Sequence, residues 1–297
     1  MTDFRGFRCA VASEARADDL AGTASTVRSL LLVEHAGPWG VDALRDARLP
    51  DGLGAHLAEE GRRHGVRVLL VRRHGRRGTT DADGVRVFAA RAAGADSWLE
   101  STNLGAVEDV RDVDLVALGA GRSPGLARHH DPLLAVCTHG RHDACCAERG
   151  RPLAAALAAS RHADTVWECS HIGGDRFAGN LLVLPRGLYF GRLDPPSALA
   201  VADAVADGRL ELDHLRGRSD LAMPVQAAEV EVRRRLGLAG LDDVRPTGAH
   251  ADGDLTSVTL DAAGREVTVQ VRRVLEPAQR LTCGAQRDNP VPRFEVD

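Results

Sequence analysis

Between Leu133 and Asp207 the chain alternates short apolar runs with helical segments in an order that few folds accept. Leu133–Cys137, Thr165–Cys169, Leu181–Leu184 and Leu188–Gly191 are brief and mostly apolar, as expected of strands buried in a sheet. Pro152–Ser160, with proline at its start, reads as a helix between the first two, and a second helix runs over Ser197–Asp207. A helical crossover makes the first two strands parallel, whereas the Pro185–Gly187 turn joins the next two as an antiparallel hairpin.

This β-α-β-β-β-α order is thioredoxin-like, and the fold class is α/β. Upstream, Leu30–Val33, Val66–Val71, Val85–Ala89 and Val113–Leu118 are further apolar runs, and Leu53–His64 has helical spacing with Gly65 as its stop signal. Residues 1–120 thus read as a second α/β module, possessing no residue-level repeat of the first. The turn-rich Gly119–Gly125 separates the modules, which places the domain that carries the chemistry at 126–215. Residues 216–297 form an extension: an amphipathic helix over Pro224–Leu236 and a hairpin of Leu255–Leu260 with Glu266–Val271.

Four of the six cysteines fall between Cys137 and Cys169, in company with His139, His142 and His162, and His171 follows just after. Cys137 ends a predicted strand and Cys145-Cys146 lies just ahead of a predicted helix, where thiolates are acidified and ligate well. Cys169-Ser-His171-Ile-Gly-Gly-Asp175 follows the next parallel strand. Ligands collect at the carboxyl ends of such strands, so the two loops should lie side by side. Gly173 and Gly174 let backbone approach a bulky cofactor and aim amides at it. The donor set is then two cysteines, His171 and a fourth group, which is Asp175, Cys145 or Cys169. The C-x7-C or C-x8-C spacing is wider than the C-x2-C of common zinc sites, so spacing alone does not name the metal.

Cys137-Thr-His-Gly-Arg-His-Asp-Ala-Cys-Cys146, then Gly150-Arg-Pro-Leu153, then Cys169-Ser-His-Ile-Gly-Gly-Asp-Arg-Phe-Ala-Gly-Asn180 resemble the sucrase/ferredoxin-like family of thioredoxin-fold ferredoxins. Gly37-Pro-Trp-Gly40 and the Cys283 region extend the resemblance more faintly over the whole chain. The resemblance implies a [2Fe–2S] cluster held by two cysteines of a C-x-H-G-x-x-D-x-x-C element and two histidines of H-x-G-G-H. Carried over, these are Cys137, Cys146 and His171, but the fourth position holds Asp175 in place of histidine. His139 and Asp143 belong to the same element and would support the ligands, and Arg176 would pair with Asp175 or draw an acidic partner. The implied function is electron transfer to or from a redox partner protein or a small acceptor, by a carrier and not a stand-alone enzyme. Two readings compete: a thiol–disulfide redox enzyme using Cys137 with Cys145 or Cys146, and a structural zinc-binding module.

Other classes are disfavoured. The net charge is −4 and the arginines are interspersed with acids, unlike the dense basic stripe that nucleic acid requires. Three Trp, one Tyr and six Phe are few for the stacked sugar platforms that accompany a glycosidase, and no carboxylate pair stands out, so sucrase activity is not expected. No apolar run reaches the roughly 20 residues of a membrane span, and Met1–Asp18 lacks the pattern of a secretory signal. A cytoplasmic protein is expected; Cys9 and Cys283, at opposite ends of the chain, could meet in space, but independent burial is the expectation in a reducing compartment. The oligomeric state is left open.

Overall fold

The computed structural model describes residues 6–75 and 84–297; the first five residues of Met1–Asp18, and 76–83 of the amino-terminal module, lie outside them. Ten strands form one mixed sheet in the order β10-β9-β8-β6-β7-β2-β1-β3-β4-β5. They are β1 (Ser29–Glu34), β2 (Val66–Arg72), β3 (Val85–Arg91), β4 (Trp98–Leu104), β5 (Ala127–Arg128), β6 (Leu133–Cys137), β7 (Val166–Cys169), β8 (Leu181–Leu184), β9 (Leu188–Phe190) and β10 (Leu215–Arg218). The longer helices against it are α3 (Leu53–His64), α5 (Ala144–Ala158) and α6 (Pro195–Ala206), with short α1 (Cys9–Ala15), α2 (Ala43–Asp46) and α4 (Leu115–Gly119). The architecture is α/β.

Both halves of the sheet use one plan. In the first, β1 pairs parallel with β2 across a helical crossover and antiparallel with β3, which pairs antiparallel with β4. In the second, β6 pairs parallel with β7 across α5 and antiparallel with β8, which pairs antiparallel with β9. The equivalent strands β2 and β7 then meet antiparallel, with Val71 opposite Cys169 and Arg72 opposite Glu168. Equivalent edges meeting antiparallel relate the halves by an approximate two-fold at this seam.

Side-chain alternation assigns each face of the sheet its own core. Leu31 and Val33 of β1 pack on Leu53 and Leu57 of α3, and Leu134 and Val136 of β6 pack with Leu153 and Leu157 of α5. Their neighbours Leu30, Leu32, Leu133, Ala135 and Cys137 share one inner core with Phe88 and Trp167. The halves therefore bury their helix-free faces in common. At the seam Arg72 donates to Glu168 at 2.7 Å, and Thr138 Oγ1 donates to the same carboxylate at 2.7 Å.

Three elements depart from the sequence reading. The apolar run Val113–Leu118 ends in the helix α4, because Asp114 caps it by accepting from the Ala117 N–H at 2.8 Å. Helix α5 begins at Ala144, not at Pro152, which lies inside it; the Asp143 cap is the start signal. The boundary at 215/216 falls within β10, an edge strand of the large sheet.

Beyond β10, α7 (Met223–Leu236) packs on an antiparallel four-stranded sheet of β11 (Val244–Asp252), β12 (Leu255–Ala262), β13 (Arg265–Gln279) and β14 (Asn289–Val296). The expected hairpin is β12–β13; β11 and β14 flank it. Among the described residues no helix is long and apolar enough to cross a membrane.

Candidate metal centre

Cys137 closes β6, and residues 138–143 turn back into α5. The buried Asp143 carboxylate caps that helix, accepting from the Cys145 N–H at 2.9 Å. Cys145 and Cys146 therefore sit inside its first turn, at the positive end of the helix dipole. A Cβ at Gly150 would collide with the Cys137 carbonyl, so the missing side chain lets α5 lie against the end of β6. The second loop leaves β7 and carries His171 and Asp175 to the same place.

Donor atoms of Cys137, Cys146 and His171 lie within 4.8 Å of one another. Asp175 adjoins all but the first of these: its Oδ1 accepts from the Cys146 thiol at 3.2 Å and lies 2.9 Å from His171 Nδ1. A second set, His142, His171 and Asp175, is equally close. His142 Nε2 lies 3.9 Å from Asp175 Oδ2, and its ring stacks on His171 with centroids 3.9 Å apart. The donors thus form two overlapping groups that share His171. His171 Nδ1 is buried and makes no hydrogen bond, because its contact with Asp175 lies off the ring N–H direction.

The charges are mutually dependent. A hydrogen bond from Cys146, aided by His171, outweighs burial and holds the Cys137 thiol well below its usual range, while the same bond and burial push Cys146 up. Burial opposes charge on His171, yet Asp175 and Cys137 raise it to about 9. Burial also opposes charge on Asp175, but His171 and the Cys146 thiol hold it below the usual carboxylate range. His171 and Asp175 thus attract each other inside the site, and the two sulfurs share a hydrogen bond; a thiolate-seeking cation bound there would displace thiol protons.

The surroundings come largely from the amino-terminal half. His139 Nε2–H donates to the Gly40 carbonyl at 2.9 Å, and its Nδ1 accepts from the His171 N–H at 3.2 Å, which sets its tautomer. Burial lowers its pKa, so it stays neutral. Arg67 of β2 donates to the His171 carbonyl at 2.8 Å, and Ser25 Oγ to that of Ile172 at 2.9 Å. From β10, the buried Arg216 donates to the Gly173 carbonyl at 3.0 Å and to Asn180 Oδ1 at 2.8 Å. Gly174 has φ +81°, and a Cβ there would strike this guanidinium, so the glycine pair accommodates an arginine beside the donors. Burial lowers Arg216 only to about 10, so it stays charged at neutral pH.

The structure brings Cys137, Cys146, His171 and Asp175 together, with His139, Asp143, Gly173 and Gly174 around them. Cys145 faces away from them, and Cys169 packs in the inner core outside both donor groups. Arg176 turns from Asp175 to pair with Asp18 at 3.3 Å, stacked over Phe177. His142, Arg67 and Arg216 were not singled out from the sequence. Only His142 carried a signal, the histidine enrichment of its loop. Cys9 and Cys283, expected to be buried separately, meet: their sulfurs are 3.6 Å apart, because β13 and β14 return the chain to the start of α5.

A family model described as Sucrase/ferredoxin-like matches residues 20–217, two thirds of the chain. The match spans both halves of the large sheet and ends in β10. No curated protein and no solved structure matches.

Proposed function

The chain belongs to the sucrase/ferredoxin-like family, and we propose that it is an iron–sulfur electron carrier with a thioredoxin-like metal domain, its [2Fe–2S] cluster held by Cys137, Cys146, His171 and Asp175. The observation that carries this reading is the convergence, in one buried place, of the Cys137 and Cys146 sulfurs, the His171 ring and the Asp175 carboxylate.

When bound, such a cluster supplies a one-electron couple. The chain's own residues do the rest. Cys137 and Cys146 give up their protons, and their nearly complete burial excludes water from the sulfurs. His139 and Arg67 hold the backbone of His171 from both sides. Arg216 sets a permanent positive charge beside an anionic donor set. His142, exposed and stacked on His171, is the face that a redox partner protein or small acceptor would meet.

Purified full-length protein should be brown and, after dithionite reduction, give the paramagnetic resonance signal of a reduced binuclear cluster. A colourless protein with stoichiometric zinc lost on Cys137→Ser would refute the proposal.

A further inference from the structure

The second gathering of sulfur in the molecule is assembled from three distant segments. Cys9 opens α1, Cys145 lies in the first turn of α5, and Cys283 lies between β13 and β14. The sulfurs of Cys145 and Cys283 are 3.4 Å apart, those of Cys283 and Cys9 3.6 Å, and Cys9 Sγ is 3.6 Å from either oxygen of Asp143. All four donor atoms lie within 4.8 Å of one another. Cys9, Cys145 and Asp143 are buried and Cys283 is partly exposed.

Four zinc-bound thiolates at about 2.3 Å in a tetrahedron stand about 3.8 Å apart, and a carboxylate oxygen stands somewhat closer to each sulfur. The observed spacings need only a few tenths of an ångström of expansion. A disulfide would consume two sulfurs and strand the third beside a carboxylate. The Asp143 oxygens are held by the backbone N–H groups of Cys145, at 2.9 Å, and Cys283, at 2.7 Å, the kind of outer hydrogen bonding that orients ligating carboxylates. Cys283 is further tied by Arg280, which donates to its carbonyl.

We propose that Cys9, Cys145, Cys283 and Asp143 form a second metal site, a closed S3O site for Zn2+ that clips α1 and the segment around Cys283 onto the start of α5. Three thiolates and one carboxylate suit zinc: soft sulfur selects it over magnesium or calcium, and the carboxylate disfavours Cu(I). Binding releases the thiol protons to solvent and oxidises nothing. Cys9 and Cys283 lie outside the family match, so the clip belongs to the flanking segments of this chain, and it stands independently of the cluster proposal.

Metal analysis of full-length protein grown with zinc tests it. One zinc per chain is expected in the wild type and in Cys137→Ser/Cys146→Ser, but about tenfold less in Cys9→Ser/Cys283→Ser, whose iron content and visible spectrum stay unchanged. Zinc retained by the second double variant and lost by the first would overturn the site. So would a wild type without zinc whose intact mass is lower by two hydrogens, the mark of a disulfide. Should either double variant fold poorly, Co2+ titration of the Cys283→Ser and Cys137→Ser single variants decides. The band of tetrahedral thiolate-bound cobalt must be lost in Cys283→Ser and kept in Cys137→Ser; the reverse refutes the proposal.

Discussion

Cys145 and Cys146, adjacent in the first turn of α5, point into different donor groups: Cys146 Sγ lies 3.2 Å from Asp175 Oδ1, whereas Cys145 Sγ lies 3.4 Å from Cys283 Sγ. Successive helical side chains diverge by about 100°, so one turn serves two sites. A substitution at one residue should leave the other site standing. Cys146→Ser is expected to lose most of its iron and colour and keep its zinc; Cys145→Ser should do the opposite. Iron and zinc analysis of the two variants checks this, and loss of iron from Cys145→Ser alone would contradict it.

Asp175 stands where the family pattern has histidine. Carboxylate donates more negative charge than neutral imidazole and so stabilises the oxidised centre. Asp175→His should raise the reduction potential, toward the range of about −150 to +300 mV spanned by Cys2His2 centres. A redox titration followed by visible absorption measures it. An unchanged potential would remove Asp175 from the ligand set.

Arg216 is buried, and its loss would strand the carbonyls of Gly173 and Thr23 and the amide of Asn180. Arg216→Met should destabilise the protein by about 3 kcal/mol, from the usual cost of unpaired buried polar groups. The lost positive charge should also lower the potential of any anionic centre beside it. Arg216→Lys keeps the charge and should restore the potential more than the stability, which denaturant melts and redox titration resolve. Equal potentials in all three proteins would reduce Arg216 to a packing role.

The segment 35–42 reaches from β1 over the candidate centre through the Gly40 and Val41 carbonyls, which meet His139 and His142. At its root His35 is pushed below the usual histidine pKa by burial and by Arg72. Its carbonyl accepts from Trp39 Nε1 at 3.0 Å. The unfolded or opened segment binds the proton more readily, so its stability should be intact above pH of about 6.5 and decline as pH falls through the depressed value. The protection factors of amides in 35–42, corrected for the intrinsic pH dependence of exchange, should fall below that pH in the wild type and much less in His35→Gln. An equal response in the variant would assign the effect elsewhere.

Residues 126–215, which read as a domain from sequence alone, should not hold the centre by themselves. Alone, β7 lacks β2, the inner core lacks Leu30, Leu32 and Phe88, and the His171 loop lacks Arg67, Ser25 and Arg216. The excised segment should show little dispersion in its amide NMR spectrum and bind no stoichiometric metal. A folded, metal-binding fragment would contradict the shared core.

The legible part of this fold was the part written in apolar runs. β6 and β8 match their expected bounds because Leu133–Cys137 and Leu181–Leu184 are buried throughout. β10 was hidden because Leu-Arg-Gly-Arg buries two guanidinium groups, which only the assembled partners satisfy. β4 was hidden likewise: Glu100 is buried there, accepting from Ser123 and Leu126. The strand plan repeats in topology with no residue-level repeat beside it, so the sequence did not show it. Of the candidate site, residue types and spacing pointed to two cysteines, His171 and a fourth donor left open among Asp175, Cys145 and Cys169, and the family resemblance singled out Cys137 and Cys146 with Asp175 at the fourth position. The meeting of Cys9 with Cys283 depends on where two sheets return the chain, and no local pattern encodes it.

The central claim is a binuclear cluster on Cys137, Cys146 and His171. Its most direct test is iron and acid-labile sulfide per chain in anaerobically purified wild type beside Cys137→Ser. Two iron and two sulfide per wild-type chain, both absent from Cys137→Ser, are predicted. A single metal ion without sulfide, or iron and sulfide unaffected by Cys137→Ser, would contradict it.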